Sequence, residues 1–277
     1  KSSYFAGKTP NPCVVCNPEI KFGRLLDRVA SEVGSMLATG HYARVEHAPG
    51  AMVRLFKGMD RKKDQSYFLC RLQQKQLQRI CFPLGEYRKE EVYEMAAESG
   101  IAPLHAGESQ DVCFLEDGSV SDFLKSYAPE GREGPIVSVA GRKLGNHTGI
   151  HGYTIGQRRG LGIPDATPYY VVGLDPEANR VIVGKDADLW KSSLLAGGFV
   201  WTAGVQPELP QEFEVKIRYR HQAAPAVVTA TASGEIHVRF SEPQRAITPG
   251  QFTVLYRGDE LVGGGEILSS LEVTIEV

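Results

Sequence analysis

Asn17-Pro18-Glu19-Ile20-Lys21-Phe22-Gly23-Arg24-Leu25-Leu26-Asp27-Arg28-Val29-Ala30-Ser31-Glu32-Val33-Gly34, followed by Met36-Leu37-Ala38-Thr39-Gly40-His41-Tyr42, decides the fold. Asn17 suits an N-cap, Pro18 the first helical position and Glu19 the first turn. Phe22, Leu25, Leu26, Val29, Ala30 and Val33 recur at helical spacing until Gly34 stops the run. The pattern predicts an amphipathic helix packed on a core. The short apolar run from Met36 that ends at Gly40 reads as a buried strand whose end opens a loop, and such strand ends are common ligand sites. Helix followed by buried strand points to an α/β domain.

Working outward, Gln65–Leu72 and Lys75–Ile80 read as short helices, and Lys89–Ser99 as a better one, with Val92, Met95 and Ala96 inward and Gly100 past its end. Beyond Gly118 the chain changes character. Gly131, Gly134, Gly141, Gly145, Gly149, Gly152, Gly156, Gly160 and Gly162 interrupt it too often for a long element. From Gly197 onward, alternating runs such as Phe213-Glu214-Val215-Lys216-Ile217-Arg218-Tyr219 recur between turn signals, and Ala226–Ala232 with Glu235–Phe240 form the clearest hairpin, joined at Ser233-Gly234. The expected organisation is an α/β, Rossmann-like unit over 1–118, a small loop-rich central domain over 119–196, and a C-terminal all-β barrel over 197–277.

By length alone the 277 residues suit about two domains, each large enough to bury a core of its own. Lys+Arg number 31 and Asp+Glu 33, a net charge of −2, so any nucleic-acid binding must come from a local basic face. No run approaches the about 18 apolar residues of a membrane span, so no membrane partner is expected. Five cysteines, an odd count without an apolar leader, point to a reducing cytoplasm and to thiols available for chemistry. The chain opens at Lys1 without an initiator Met, so a fragment is expected.

Cys13-Val14-Val15-Cys16 has the spacing of metal knuckles and of thiol redox sites. A structural zinc needs four ligands and no second pair at knuckle spacing follows, so no bound metal is expected. Cys16 directly precedes the Asn17 cap, where the positive end of a helix would favour its thiolate. Packing of both cysteines as small apolar residues is the alternative. Cys113 lies in Gly107-Glu108-Ser109-Gln110-Asp111-Val112-Cys113, and its spacing leaves open whether it meets Cys16.

Six segments taken in order carry a resemblance. They are Thr9-Pro10-Asn11-Pro12-Cys13-Val14-Val15-Cys16-Asn17, Thr39-Gly40-His41-Tyr42-Ala43, Lys63-Asp64-Gln65-Ser66-Tyr67, the 107–113 stretch, Tyr153-Thr154-Ile155-Gly156-Gln157-Arg158-Arg159-Gly160-Leu161-Gly162, and Thr248-Pro249-Gly250-Gln251. Together they resemble the bacterial tRNA-specific 2-thiouridylases. The resemblance implies an ATP-dependent sulfurtransferase that adenylates the wobble uridine of a tRNA and replaces its C2 oxygen with sulfur from a cysteine persulfide, loaded by a sulfur-relay donor protein.

By the same resemblance Cys113 is the persulfide carrier and Cys16 the nucleophile. Asn11, Pro12 and Cys13 contact the target base, and Gly40 contacts ATP, with Mg expected alongside it. His41, Lys63, Asp64, Gln65, Arg218, Tyr219 and Gln251 contact tRNA. Some family members have Asp in place of Cys13, so Cys13 is left without a catalytic role. The first unit then reads as the remnant of a PP-loop domain: the family's Ser-Gly-Gly-Xaa-Asp-Ser-Ser loop has no counterpart here, so the chain is expected to lack most of the ATP site and to be inactive by itself.

For RNA, Lys216, Arg218 and Arg220 alternate with Ile217 and Tyr219 and would place three cations on one strand face. Arg142, Lys143, His147, His151, Arg158 and Arg159 add a basic stretch in the Gly-rich middle. Without the resemblance, Asn11-Pro12 is an ordinary turn, Lys63-Asp64 a solvated pair, and the cation row the solvent face of an edge strand. Two rival functions remain, a non-catalytic RNA-binding module and a thiol-disulfide oxidoreductase built on Cys13 and Cys16.

Overall fold

The computed structural model describes residues 2–32, 34, 36–101, 113, 123–124 and 132–271. Most of the 107–113 segment and the boundary at 118 lie outside these residues. After α1 (Ser2–Phe5), helix α2 (Pro12–Cys16) starts earlier than the sequence reading has it. Asn11 is the cap, extended at φ −107 and ψ 99, and its side chain accepts from Val14 N at 3.4 Å. The chain then continues as a nine-residue π-helix, Asn17–Leu25, and as α3 (Leu26–Glu32). Asn17 is therefore not a cap; it is buried, and its amide donates to Phe68 O at 2.9 Å.

A proline inside a helix lacks its N–H and crowds the preceding turn, and the widened π repeat around Pro18 accommodates it. Gln76 Nε2 donates to Pro18 O at 2.8 Å and to Phe22 O at 2.9 Å, so two carbonyls of the wide turn are satisfied from outside the helix. Gly23 holds the kink at φ −102 and ψ −105, where a Cβ would stand 2.6 Å from Pro18 O.

The next elements are β1 (Leu37–Ala38), β2 (Ala43–Glu46), β3 (Arg54–Lys57), a 3-10 turn (Ser66–Leu69), α4 (Gln74–Leu77), β4 (Ile80–Cys81) and α5 (Lys89–Glu98). β1 and β4 pair in parallel, Leu37 opposite Ile80. On α5, Val92 and Ala96 are half-buried, whereas Met95, read as inward, is exposed. The middle of the chain forms β5 (Gly134–Ser138), β6 (Lys143–His147), β7 (Tyr170–Asp175) and β8 (Arg180–Gly184), a four-stranded sheet in the order β6-β5-β8-β7. Ile136, Ile150, Leu161, Val171, Val181 and Val183 form its core.

The last unit comprises β9 (Trp190–Trp201), β10 (Gln211–Lys216), β11 (Ala224–Ala230), β12 (Ile236–Arg245), β13 (Phe252–Arg257) and β14 (Glu260–Leu271). Pairing runs β13-β10-β11-β12-β9-β14, and β13 also pairs with β14, which closes a six-stranded barrel. β9 begins before residue 197 and runs through the sequence-based boundary. β3 and β2 extend the same sheet from β14, with Leu55 opposite Leu261.

Strand β13 is buried on both faces. Phe252, Val254 and Tyr256 join Val14, Phe22, Leu26, Tyr67 and Leu77 in one core, while Leu255 faces the barrel interior with Val215, Val228, Val238 and Ile267. The barrel wall is thus the floor on which the thiol-bearing helices pack. Among the described residues no helix is long and apolar enough to cross a membrane.

Candidate active site

Cys13 and Cys16 are half-buried, one helical turn apart on α2, and Cys113 is exposed; all three are free. Burial pushes the Cys13 thiol up, and the nearby Cys113 and Cys16 sulfurs push it the same way against Lys21. Of the two α2 thiols, Cys13 is the one on which Cys113, from a distant part of the chain, acts. The helix start expected beside Cys16 lies beside Cys13 instead, because Asn11 and not Asn17 is the cap. Cys16 ends α2 with the helical path continuing beyond it, so the helix-end argument for its activation does not apply. A raised Cys13 also argues against the oxidoreductase rival, whose attacking thiol needs a lowered value.

His41 sits against the thiol helices. Its ring packs on Phe22 and Phe82, with centroids 5.6 and 5.5 Å away, and its Nδ1 lies 2.8 Å from Thr39 Oγ1. Burial, reinforced by Lys21, holds it down to about 4, so the ring is neutral at pH 7. It offers a flat aromatic face rather than a cation. Gly40 is exposed at the C-terminal end of β1. Lys21 acts on both Cys13 and His41, yet sequence reasoning passed over it as one more polar position of a helix.

The Lys63-Asp64-Gln65 segment faces largely inward. Asp64 is 5% exposed, neither a solvated partner of Lys63 nor an open carboxylate. Its Oδ1 accepts from Gly58 N and Ser66 N, both at 3.1 Å, and its Oδ2 from Ser66 Oγ at 3.0 Å. Lys216 Nζ stands 4.0 Å from Asp64 Oδ2, and burial lowers this ammonium against the pull of Asp64. Gln65 exchanges two hydrogen bonds with Tyr42, accepting from Tyr42 N at 3.0 Å and donating its own N–H to Tyr42 O at 2.8 Å. The pair ties this segment to the loop that carries His41.

The row of three cations does not form, because β10 ends at Lys216. Arg218 Nη1 donates to Arg245 O at 3.2 Å and to Ala246 O at 3.4 Å, and Tyr219 turns inward onto Phe68, with ring centroids 4.4 Å apart. In the middle unit Arg142, Lys143, Arg158 and Arg159 are exposed, but His147 is buried. His147 Nε2 lies 3.0 Å from Asn179 O, and Nδ1 accepts from Gly149 N at 3.1 Å, which makes Nε2 the protonated nitrogen. His151 packs on Phe5 at 5.0 Å. Gln251 Nε2 donates to Thr9 O at 2.8 Å. Among the described residues no group of three or more His, Cys, Asp or Glu stands together to hold a metal ion.

Comparison with known proteins covers nearly the whole chain. Residues 1–117 match the family described as tRNA methyl transferase HUP domain, 121–185 the tRNA methyl transferase PRC-barrel domain, and 191–267 the aminomethyltransferase beta-barrel domain. The tRNA-specific 2-thiouridylase MnmA of Geobacter metallireducens is 47% identical over 266 residues, which cover 95% of this chain and 72% of the relative. The protein of the same name from Syntrophotalea carbinolica is 48% identical over 267 residues, 95% of this chain and 75% of the relative. That from a Synechococcus strain is 45% identical over 276 residues, 99% of this chain and 77% of the relative. The expectation that the first unit is a remnant lacking the family's N-terminal ATP-pyrophosphatase loop is not borne out, since the HUP match extends over residues 1–117.

Proposed function

The chain belongs to the tRNA-specific 2-thiouridylase family, and from that premise we propose how its thiols carry sulfur to the wobble uridine. It is a sulfurtransferase that acts on tRNA and uses ATP. The domain descriptions carry the words methyl transferase, but they describe single domains, whereas the thiouridylases align over 95% or more of this chain. Thiolation is the activity that follows.

In the proposed reaction ATP, with Mg, adenylates O2 of the uridine and pyrophosphate leaves, and a donor protein of the cytoplasm loads a persulfide on Cys113. The terminal sulfur of that persulfide bonds to C2 as the C2–O bond breaks and AMP leaves. The Cys16 thiolate then attacks Cys113 Sγ, so the S–S bond breaks, sulfur stays on C2, and a Cys16–Cys113 disulfide remains for a thiol reductant to open. What supports this reading is that Cys113, exposed and free, acts on Cys13, which shares α2 with Cys16 one helical turn away.

The uridine must leave its stack to reach those sulfurs. Asn11, Pro12 and Cys13 stand beside them to receive the base, and the neutral His41 ring offers a surface for a nucleobase. Cys13 stays protonated at neutral pH and is assigned no covalent step. Gly40 is the one nucleotide contact proposed here, and no step is assigned to it. Asp64, Gln65 and Arg218 serve tRNA binding by holding the surface in shape, because each bonds to other parts of the protein, and Lys63 and Tyr219 belong to the same tRNA-binding surface.

Peptide mapping after treatment with a persulfide donor tests the reading. An added sulfur on Cys113, and a Cys16–Cys113 disulfide after turnover with ATP and unmodified tRNA, are the expected products. If tRNA binds but sulfur never appears on Cys113, the RNA-binding rival takes its place.

A further inference from the structure

The thiol-bearing helix is held at its entrance by residues from both other units of the chain. The 248–251 loop turns back on β14, with Gly250 N donating to Ile267 O at 2.9 Å and Ile267 N to Gln251 O at 2.8 Å. From this anchored loop, Pro249 O accepts from Thr9 N at 2.9 Å and Gln251 Nε2 donates to Thr9 O at 2.8 Å. Thr9 is therefore gripped at both its backbone groups. Gly250 makes the approach possible: at φ +89 it favours glycine, and a Cβ there would stand 2.9 Å from Thr9 N and 3.0 Å from Lys8 Cβ.

Two further contacts close the grip. Lys8 Nζ pairs with Glu266 Oε1 at 2.7 Å, and Thr9 Oγ1 lies 3.3 Å from Thr154 Oγ1 of the middle unit. Two residues after Thr9, Asn11 caps the helix that carries Cys13 and Cys16. A displacement at Thr9 is passed on through Pro10 and Pro12, each with its φ fixed by a ring, so little of it is absorbed before the thiols.

We infer that Gln251, with Gly250, is a positioning residue that sets the placement of the Cys16 helix from the barrel, and that the barrel thereby registers the reacting thiol against bound tRNA. This rests on the role of Cys16 proposed above. It differs from a role for Gln251 as a tRNA contact, because Gln251 acts here through Thr9, to whose carbonyl it donates one of its amide N–H groups.

The test uses Gln251→Met, which keeps the volume and removes the donor, and Gly250→Ala, which pushes Thr9 away sterically. The readouts are the rate at which Cys16 is alkylated without tRNA, the same rate for the fully buried Cys70, and the Kd for unmodified tRNA. Removing one such hydrogen bond is expected to change Cys16 labelling by about fivefold. Misplacement of the thiol is expected to lower kcat about tenfold or more. Cys70 labelling and the tRNA Kd should stay within about twofold, since neither the core nor a phosphate contact is touched. Unchanged Cys16 labelling with weakened tRNA binding overturns the inference and leaves Gln251 a tRNA contact. Cys70 labelling that rises in step with Cys16 also overturns it, as general loosening. Failure of the thiolation reading shows separately, as no sulfur on Cys113 in the unaltered protein.

Discussion

The six barrel strands are fixed along their length by ladder hydrogen bonds and by an apolar interior of Val215, Val228, Val238, Leu255 and Ile267, whereas Lys8–Cys16, which carries two of the thiols, is fixed by a few directed contacts. The contrast separates two kinds of sensitivity. A lost side chain in the barrel is a loss of burial shared over many neighbours, and the native geometry survives while stability falls. A lost contact on the thiol segment removes little burial but shifts atoms whose placement the chemistry requires.

The widest separation comes from the thiols themselves. Cys113→Ser and Cys16→Ser are expected to lower 2-thiouridine formation about a thousandfold or more, measured as thiolated tRNA, with unfolding midpoints close to that of the parent protein. Leu255→Ala sharpens the contrast from the other side. Leu255 is 0% exposed in the barrel interior, so its truncation should cost about 2–5 kcal/mol in urea unfolding. At temperatures where this variant stays folded, Cys16 labelling and thiolation per folded molecule should hold. A loss of activity without a loss of stability would break the comparison.

How far the sequence reveals each region follows the same division. The β11–β12 hairpin is legible because alternation and the Ser233-Gly234 turn are local signals; its register is not, since the structure pairs Ala226 with Phe240 and Thr231 with Glu235, one residue off what a two-residue loop gives, and takes Ala232 into the turn. The start of the thiol helix is not legible, because two Asn-Pro pairs, Asn11-Pro12 and Asn17-Pro18, carry the same capping signal. What decides between them is distant: Asn17 finds Phe68 O, and Gln76 finds the carbonyls of Pro18 and Phe22. The β2–β3 hairpin is hidden for the same reason, since its partner, β14, lies at the far end of the chain. Among site residues, the two cysteines of α2 stand out by spacing. The inward turn of Asp64, Tyr219 and His147 depends on neighbours that no local pattern names.

Asp64 ties the barrel to the first unit, because its carboxylate takes N–H groups from the 58–66 segment while Lys216 reaches it from β10. Asp64→Ala should cost about 2–4 kcal/mol, since it strips buried donors of their acceptor and leaves Lys216 without its counter-charge. Adding Lys216→Met should recover part of the loss in a double-mutant cycle. A double-variant loss equal to the sum of the two single losses would show that the two groups do not interact.

The smallest effect is the pH dependence of His41, and it tests whether the pocket this ring fills beside Phe22 and Phe82 adds measurably to global stability. His41 is held down to about 4 in the folded protein by burial and then by Lys21, against an ordinary value of 6.5. Between these two values the unfolded chain binds the extra proton and the folded one does not, so protonation favours unfolding. The stability this ring contributes is complete above about pH 6.5 and is lost as pH falls toward 4, a change of about 1–3 kcal/mol. His41→Gln cannot take up that proton and should flatten this part of the profile. His151, His221 and His237 are also lowered, chiefly by burial, and tilt both proteins alike, so the difference between the two urea-midpoint profiles isolates His41. Parallel profiles would mean that the pocket of His41 opens before the rest of the fold, because a site already open to water adds no slope to global unfolding.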